Sequence, residues 1–216
     1  MNIVLIGAAG AGKGTLAGEI LASYHIPHIS TGDMFRDQIA RKTPLGLQAK
    51  VYMEKGELVP DEITIDFVRE RLLRDDCRNG YLLDGFPRTK AQAVAFQAML
   101  EVTHLDLDVV FYLDVEFDRL IRRITGRRVC INCKSVYHVE FSPSIVPGVC
   151  DKCSGRLYQR TDDTEESLRI RLQSFLEDTK PVLEYFEKMN LVKRIDANRS
   201  MAEVVESVKQ YLEEIQ

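Results

Sequence analysis

Long apolar runs are absent from this 216-residue sequence, as are low-complexity segments, internal repeats and long linkers. A transmembrane helix needs about 20 predominantly apolar residues, so we expect no membrane span and no membrane partner. The first residues lead directly into a strand-like run, without the basic region, apolar stretch and cleavage site of a secretory signal. These absences favour a cytoplasmic protein.

An excess of basic residues is also lacking. The chain has 29 Lys and Arg against 33 Asp and Glu, which gives a formal net charge of −4. Broad binding to nucleic acid depends on a basic surface, so we expect no nucleic-acid partner. A local arginine cluster that holds a small anionic substrate is compatible with this charge. Hydrophobic residues make up 45% of the chain, which is enough for one core with some insertions.

A glycine-rich segment, residues 7–15, reads GAAGAGKGT and follows the apolar run IVLI. A buried strand, a glycine-rich turn and a helix that begins near Lys13 would gather backbone N–H groups around a phosphate. The pattern G-x-x-x-x-G-K is satisfied, although Gly14 stands where Ser or Thr usually follows and Thr15 comes one position later. The Lys13 amine can reach the outer phosphates, and the Thr15 hydroxyl can face a phosphate or magnesium. The alternative is an ordinary glycine-rich turn, but strand, glycines, lysine and helix all lie where the motif requires them.

Strand-like and helix-like segments alternate along the chain. The strand-like runs are residues 2–6, 26–29, 80–84, 108–114 and 191–195. Helical periodicity fills residues 13–24, 61–74, 89–102, 116–125, 164–189 and 201–215. This order predicts an α/β fold in which helices cover both faces of a parallel sheet. Ligands of such sheets bind beyond the carboxyl ends of the strands, where the segments 7–15, 30–33 and 84–88 are expected.

Two segments interrupt this alternation. Residues 30–59 contain two short helical patterns, and residues 126–163 contain four of the five cysteines together with strand-like pieces such as 136–139. We predict that both segments are insertions that project from the core and are not separate domains.

The second insertion carries two Cys-x-x-Cys hooks, Cys130 with Cys133 and Cys150 with Cys153, separated by sixteen residues. Four thiolates at this spacing fit tetrahedral zinc coordination. Such a site is closed to water, so its predicted role is structural: the metal replaces the core that a lobe this small lacks. Two disulfides or four free thiols are the alternatives, and a reducing compartment disfavours disulfides.

Six sequence features together resemble the adenylate kinase family in its long-lid, zinc-containing bacterial form. They are the glycine-rich segment 7–15, STGD at 30–33, DGFPR at 84–88, GRR at 126–128, R-x-DD at 160–163 and Arg171. The resemblance covers the full length with the spacings intact, and its most specific elements are DGFPR and the arginine series. It implies reversible phosphoryl transfer from Mg-ATP to AMP, which gives two ADP.

The resemblance also implies a fold of the P-loop NTPase type, with a five-stranded parallel sheet flanked by helices and two inserted lobes. The core nucleotide-binding domain would comprise residues 1–29, 60–125 and 164–216, the AMP-binding lobe residues 30–59, and the small zinc-binding β lid over ATP residues 126–163. The lobes would close before chemistry and open for release, since water near the transferring group causes hydrolysis. The hinges would lie near residues 31–32, 59–60, 125–126 and 163–164, and opening would limit turnover. A monomer is expected on family grounds.

Site residues follow from the same resemblance. The ATP site would comprise Gly10, Ala11, Gly12, Lys13, Gly14, Thr15, Arg123, Arg127, Val136, Tyr137 and Arg199. The AMP site would comprise Thr31, Arg36, Glu57, Leu58, Val59, Gly85, Arg88, Gln92, Arg160 and Arg171. The catalytic group would be Lys13, Asp84, Arg88, Arg127, Arg160 and Arg171, with Mg²⁺ as the cofactor that accompanies ATP. A planar guanidinium grips phosphate oxygens at two points, so an arginine-rich set suits this chemistry.

Individual roles are implied as well. In the family pattern, the AMP phosphate would be bound by Arg36 and Arg88. The transferring phosphoryl group would be surrounded by Lys13, Arg127, Arg160 and Arg171. Arg123 would lie against the adenine ring of ATP, and Gln92 would bond to the AMP base. Asp84, at a strand end near the glycine-rich segment, is assigned to magnesium through bound waters, several of which magnesium prefers to keep. Asp162 and Asp163 are assigned to lid closure.

Structural alternatives exist for several of these residues. Thr31 and Asp163 could cap the helices that follow them, and Asp84 could be a turn residue. Gln92 could be a glutamine without a ligand, and Arg171 could be a surface charge. A solvated basic face is the alternative for Arg123, Arg127 and Arg128. Rival functions are a UMP or CMP kinase, a nucleotide-dependent switch without turnover, and a zinc-ribbon nucleic-acid binder. The long lid and Gln92 favour AMP, the arginines favour turnover, and the acidic balance disfavours nucleic acid.

One departure from the family pattern lies in the glycine-rich segment. Ala9 stands where the family usually has proline. A proline at a compatible position stabilises a protein by ~0.4–1 kcal/mol because it restricts the unfolded chain. Ala9→Pro should therefore stabilise this protein modestly, with little effect on turnover.

Overall fold

A parallel sheet of five strands forms the centre of the computed structural model, which describes residues 1–215. The strands are, in chain order, β1 (Asn2–Gly7), β2 (His28–Ser30), β3 (Tyr81–Asp84), β4 (Val109–Asp114), β5 (Arg127–Cys130), β6 (Val136–His138), β7 (Leu157–Tyr158) and β8 (Val192–Asp196). The central sheet has the order β2-β3-β1-β4-β8, with every neighbouring pair parallel. The predicted fold class and the five predicted strands are confirmed.

Nine α-helices accompany these strands within the described residues. They are α1 (Lys13–Leu21), α2 (Thr31–Ala40), α3 (Pro44–Met53), α4 (Asp61–Leu72), α5 (Lys90–Thr103), α6 (Phe117–Thr125), α7 (Glu165–Ser174), α8 (Lys180–Glu187) and α9 (Met201–Glu214). Hydroxyl side chains satisfy backbone N–H groups at several helix starts: Thr89 accepts from Gln92, and Ser200 forms a capping box with Glu203. No helix among residues 1–215 has both the length and the apolar character that crossing a bilayer requires.

The two faces of the sheet have separate cores, and β1 contributes to both. Its side chains alternate, so that Ile3 and Leu5 pack on the face covered by α1 and α9, while Val4 and Ile6 pack on the face covered by α5 and α8. All four side chains are buried, as expected for a strand covered on both faces. The carboxyl end of β1 is thereby held rigidly where the glycine-rich segment begins.

The predicted continuous helix over residues 164–189 is wrong in one respect. It is divided into α7, a π-helical turn over Phe175–Thr179, and α8. Pro181 has no backbone N–H to donate to the preceding turn, so an unbroken α-helical ladder is excluded at this point. The π-helical turn carries Phe175, which stacks against Tyr112 of β4 and lines the central cleft.

Each of the two predicted insertions forms a small unit with its own apolar cluster. In residues 30–59, α2 and α3 pack around Phe35, Ala49 and Val59. In residues 126–163, the antiparallel sheet β6-β5-β7 has a cluster in which two of the four buried residues are cysteines. A cluster this small supplies little hydrophobic stabilisation, which is the condition under which a metal contributes folding energy.

Candidate active site

The segment 7–12 forms a tight loop at the carboxyl end of β1. The Ala11 N–H donates to the Ala8 carbonyl across 3.1 Å, which closes a turn. Gly10 and Gly12 have φ values of 85° and 102°, in the left-handed region that glycine adopts without a steric penalty. Since α1 begins at Lys13, the N–H groups of its first turn have no carbonyl partners within the helix and are available to an anion.

Lys13 lies over this loop. Its ammonium group donates to the Gly7 carbonyl across 2.8 Å and to the Ala8 carbonyl across 3.2 Å. Burial lowers the pKa of Lys13 to about 8; Asp84 opposes that shift, and Arg88, Arg171 and Arg127 add to it. These influences on one amine indicate that arginines from three other parts of the chain lie close to the loop.

Asp84 ends β3 beside this lysine. Burial alone would raise the pKa of its carboxyl group, but the nearby His28 ring and the charges of Lys13 and Arg88 lower the pKa below its usual value. The His28 Nε2 atom lies 3.8 Å from the Asp84 Oδ2 atom. An ionised carboxylate at the carboxyl end of a central strand is a hard oxygen donor, and its chemistry fits Mg²⁺.

Arg88 and Arg171 line the same cleft as Lys13. The Arg88 Nε atom donates to the Gly85 carbonyl across 2.8 Å, and burial lowers its pKa. Burial also lowers the pKa of Arg171, to about 10, although Asp162 opposes the change. The cavity here measures about 60 Å³, whereas sites for small molecules measure roughly 300 Å³ or more.

Two arginines near the cleft, Arg127 and Arg171, are paired with carboxylates of the protein. Arg127 forms a two-point pair with Asp163, whose side chain is fully buried, and Arg171 pairs with Asp162 at 3.1 Å. Asp162 is held ionised: burial alone would raise its pKa, but Arg171 in particular lowers it below the usual value. Phosphate oxygens present the same charge and geometry as these carboxylates, so a nucleotide could replace them as partners of the arginines.

Asp33 connects the two inserted segments. It accepts from Arg36 at 2.8 Å within α2 and from Arg160 at 3.0 Å, a residue 127 positions away in the other insertion. Burial acts to raise the pKa of Asp33, but the two arginines together lower it. The two insertions are thus in contact with each other through this carboxylate.

Two of the residues predicted for AMP, Thr31 and Arg88, contact the Gly85 carbonyl. Thr31 is buried and its hydroxyl donates to the Gly85 carbonyl across 2.9 Å. Gln92 is buried too: its side-chain oxygen accepts from the Arg88 N–H, and its amide group donates to Asp61. Gln92 therefore orients Arg88 through the backbone, a contact that the sequence did not reveal.

Two proposed capping roles are wrong. The cap of α2 is Ser30, whose hydroxyl accepts from the Asp33 N–H, and the cap of α7 is Thr164, whose hydroxyl accepts from the Ser167 N–H. Thr31 and Asp163 lie one residue away from these positions, so their side chains are free to make the contacts described above.

Three residues predicted for the ATP site lie in different surroundings. Arg123 bridges the Ala11 carbonyl in the glycine loop and the Ala197 carbonyl after β8, at 3.5 and 3.0 Å. Arg199 is exposed and pairs with Asp196. Tyr137 is buried in the lid, with its hydroxyl 3.4 Å from the Cys150 Sγ atom. The structure thus brings Arg123 to the loop and leaves the Arg199 side chain at the surface.

The four hook cysteines converge as predicted. The ligand atoms of Cys130, Cys133, Cys150 and Cys153 all lie within 4.8 Å of one another. Tetrahedral zinc with Zn–S bonds of about 2.3 Å requires sulfur atoms roughly 3.8 Å apart, so the cluster fits the metal. The donor set alone, four thiolates, points to a closed structural site.

Several residues of the cleft were missed at the level of sequence. His28, Asp61 and Thr179 support Asp84, Gln92 and the Arg88 carbonyl, respectively. No local pattern marks them, because each acts through a tertiary contact. Asp33 did have a signal, since it belongs to the STGD motif.

Comparison with known proteins agrees with this geometry. A family model described as adenylate kinase matches residues 5–191. A protein named adenylate kinase from Geobacillus sp. (strain WCH70) is 51% identical over 212 residues, which cover 98% of each chain. The chain belongs to the adenylate kinase family. Other proteins of that name are 49% identical over 98% of each chain in Bacillus subtilis (strain 168) and 47% identical over 99% in Thermodesulfovibrio yellowstonii.

Membership of the adenylate kinase family confirms the resemblance read from the motifs. It also confirms that the chain is an enzyme of the adenylate kinase type. The roles of individual residues and the boundaries of the lobes stay predictions.

Proposed function

We propose that this adenylate kinase transfers a phosphoryl group reversibly from Mg-ATP to AMP, which gives two ADP. The observation that carries the proposal is the convergence of Arg88, Arg127 and Arg171 on Lys13 at the mouth of the glycine loop. Phosphoryl transfer asks a protein for positioning and for neutralisation of spread negative charge, with little covalent work. A desolvated cluster of guanidinium and ammonium groups meets both needs.

The two nucleotides would occupy opposite sides of this cluster. ATP would place its phosphates on the backbone N–H groups of residues 10–15, with the lid 126–163 above it. AMP would lie under the lobe 30–59, with its phosphate on Arg36 and Arg88, near the Thr31 hydroxyl. Arg127, Arg160 and Arg171 would exchange their present carboxylate partners for phosphate oxygens, since both kinds of partner accept paired N–H donors.

Magnesium would accompany ATP, and Asp84 is the residue we propose to hold it through water. When bound, the ion neutralises charge on the phosphates. Asp84 itself is kept ionised by His28 and Lys13, so it is available as an acceptor for the ion's water shell. We propose zinc in the thiolate cluster as a structural ion with no part in the reaction.

Opening and closing of the two lobes would gate the reaction. The Arg160–Asp33 contact joins the two lobes, and the cavity lined by Lys13, Arg88 and Arg171 measures only about 60 Å³. We propose that opening for product release limits turnover, a common situation in enzymes with lids. A presteady-state burst of ADP followed by a slower steady rate is expected. Chemistry slower than release, with no burst, would contradict this claim.

An AMP-dependent ADP assay tests the function. We expect ADP in the presence of ATP, AMP and magnesium, and its loss when either AMP or magnesium is omitted. UMP and CMP serve as matched acceptors: a preference for either over AMP would assign the enzyme to another nucleotide, and nucleotide binding without any ADP would identify a switch. A cytoplasmic monomer that binds neither nucleic acid nor membrane stays a prediction.

A further inference from the structure

His138 has no part in the proposed chemistry, yet both nitrogen atoms of its ring make hydrogen-bond contacts where the lid meets α6. It ends β6, and its Nε2 atom lies 3.0 Å from the carbonyl oxygen of Arg122 in the last turn of α6. Its Nδ1 atom accepts the backbone N–H groups of Glu140 and Phe141 at 3.0 and 3.1 Å. One ring therefore joins the lid to the end of a core helix.

The hydrogen bonds define the state of the ring. Nδ1 accepts two backbone N–H groups, so it carries no proton. In a neutral imidazole the proton must then reside on Nε2, which donates to the Arg122 carbonyl. That carbonyl already accepts the N–H of Gly126, the cap of α6, across 3.2 Å, and its second lone pair accepts the proton of the His138 ring.

Neighbouring contacts hold the ring in place. The imidazole ring stacks on Phe141, with ring centres 4.3 Å apart. The Arg122 guanidinium lies over the Phe141 ring, 5.6 Å from its centre, and also pairs with Glu140. The Val139 N–H donates to the Gly126 carbonyl across 3.0 Å. The hydrogen bonds to α6 and its cap thus come from two consecutive residues, His138 at the end of β6 and Val139 directly after it.

Gly126 makes room for this arrangement. A Cβ atom at position 126 would lie 2.2 Å from the His138 Nε2 atom, far closer than atoms can approach. Gly126 adjoins Thr125, and together they form the predicted hinge between α6 and the lid. The His138 ring thus lies across the hinge and directly against Gly126, where any side chain would collide with the ring.

We propose that His138 is a positioning residue that latches the lid to the end of α6 and so sets the rate at which the lid opens. The latch lies across the hinge, and a hydrogen bond from Nε2 must break before β6 can turn away from α6. The effect on turnover, but not the latch itself, rests on the proposed function. β6 carries Val136 and Tyr137, which are proposed for ATP, and α6 carries Arg123, which contacts the glycine loop.

A matched pair of substitutions separates the two halves of the latch. In His138→Gln the side-chain NH₂ group occupies the place of Nε2 and can still donate to the Arg122 carbonyl. In His138→Asn the side-chain oxygen occupies the place of Nδ1 and keeps the bonds within the lid, but the donor to α6 is lost. The control is His25→Asn, which changes an exposed histidine outside the two inserted segments.

Lid opening would be followed by single-molecule energy transfer between dyes at Ile145 and Val102, which are 86% and 81% exposed. A single neutral hydrogen bond is worth a factor of roughly two to ten, so His138→Asn should open faster by about that factor. His138→Gln and the control should open at the unmodified rate. Nitrogen NMR of the unmodified protein should show a proton on Nε2 and none on Nδ1 of this ring.

Each outcome decides the proposal. Equal opening rates in His138→Asn and the unmodified protein would overturn it, as would equally fast opening in the Asn and Gln variants or a proton on Nδ1. The NMR measurement applies even if a variant does not fold. None of these readouts requires ADP formation, so failure of the proposed function would be seen separately. If that function holds, His138→Asn should raise kcat and the KM for ATP, while the KM for AMP is unchanged.

Discussion

Proton uptake by Lys13 on nucleotide binding is the sharpest consequence of the cleft's electrostatics. Burial lowers the pKa of this lysine to about 8, chiefly because the ammonium group loses water. Phosphates within a few ångströms favour the charged form and should return the pKa to its ordinary value near 10.5 or above. Binding of the two nucleotides above pH 7 should therefore take up a proton from solution.

The size of the effect follows from that pKa. With a pKa of about 8, roughly a tenth of the free protein has a neutral Lys13 at pH 7, about half at pH 8 and roughly nine-tenths at pH 9. Uptake should rise in the same proportions, to about half a proton at pH 8. The nucleotides contribute little, since the second ionisation of a phosphate lies near pH 6.

Titration calorimetry measures this uptake directly. AMP and a non-hydrolysable ATP analogue would be titrated at pH 7, 8 and 9, each in two buffers of different ionisation enthalpy. Lys13→Arg is the matched control, because arginine keeps both its charge and its proton throughout this range. Uptake that is independent of pH, or equal in Lys13→Arg, would refute the argument that burial of Lys13 governs the charge of the cleft.

Three further predictions concern stability. Chelation should melt residues 126–163 and leave the core sheet folded; unchanged protease sensitivity of the lid would contradict a structural metal. Ala9→Pro should raise the free energy of unfolding by ~0.4–1 kcal/mol, since Ala9 precedes a glycine at φ 85° in a turn that suits proline; a lower melting temperature or a large loss of rate would speak against it. Asp163→Asn should cost about 3–5 kcal/mol, because it leaves Arg127 without its buried partner, whereas Glu187→Gln at an exposed pair should cost less than about 1 kcal/mol. Equal losses in urea unfolding would exclude a special role for the buried pair.

Features encoded by adjacent residues were predictable from the sequence. The glycine loop needs only a strand, glycines at fixed positions and a helix, and all of these are local. The cysteine hooks are local as well, since each pair is separated by two residues. The parallel sheet follows from the alternation of strands and helices, which is a property of the whole chain that survives errors of one or two residues at each boundary.

Features that depend on distant contacts were not predictable. The contact of Asp33 with Arg160 joins residues 127 positions apart, and nothing near either residue marks the other as its partner. Gln92 was assigned to the AMP base by resemblance, and its contacts with Asp61 and the Arg88 backbone had no signal in the sequence. The π-helical turn at Phe175–Thr179 keeps helical periodicity on both sides, so a pattern of apolar residues does not reveal it.

The carboxylate partners of the arginines illustrate the same limit. Arginines were assigned to phosphate by their motifs, and those motifs contain Asp162 and Asp163 as well. Which carboxylate neutralises which guanidinium depends on how the lid folds onto α7. That pairing matters for the proposed function, because a phosphate would have to compete with a carboxylate already in place.

A crystal structure with AMP, magnesium and a non-hydrolysable ATP analogue tests the central claim most directly. We expect Lys13, Arg88, Arg127, Arg160 and Arg171 to donate to phosphate oxygens at about 2.7–2.9 Å, with the two phosphate groups end to end between them. Arginines that keep Asp33, Asp162 and Asp163 as partners, with the nucleotide phosphates bound away from Lys13, would contradict the account.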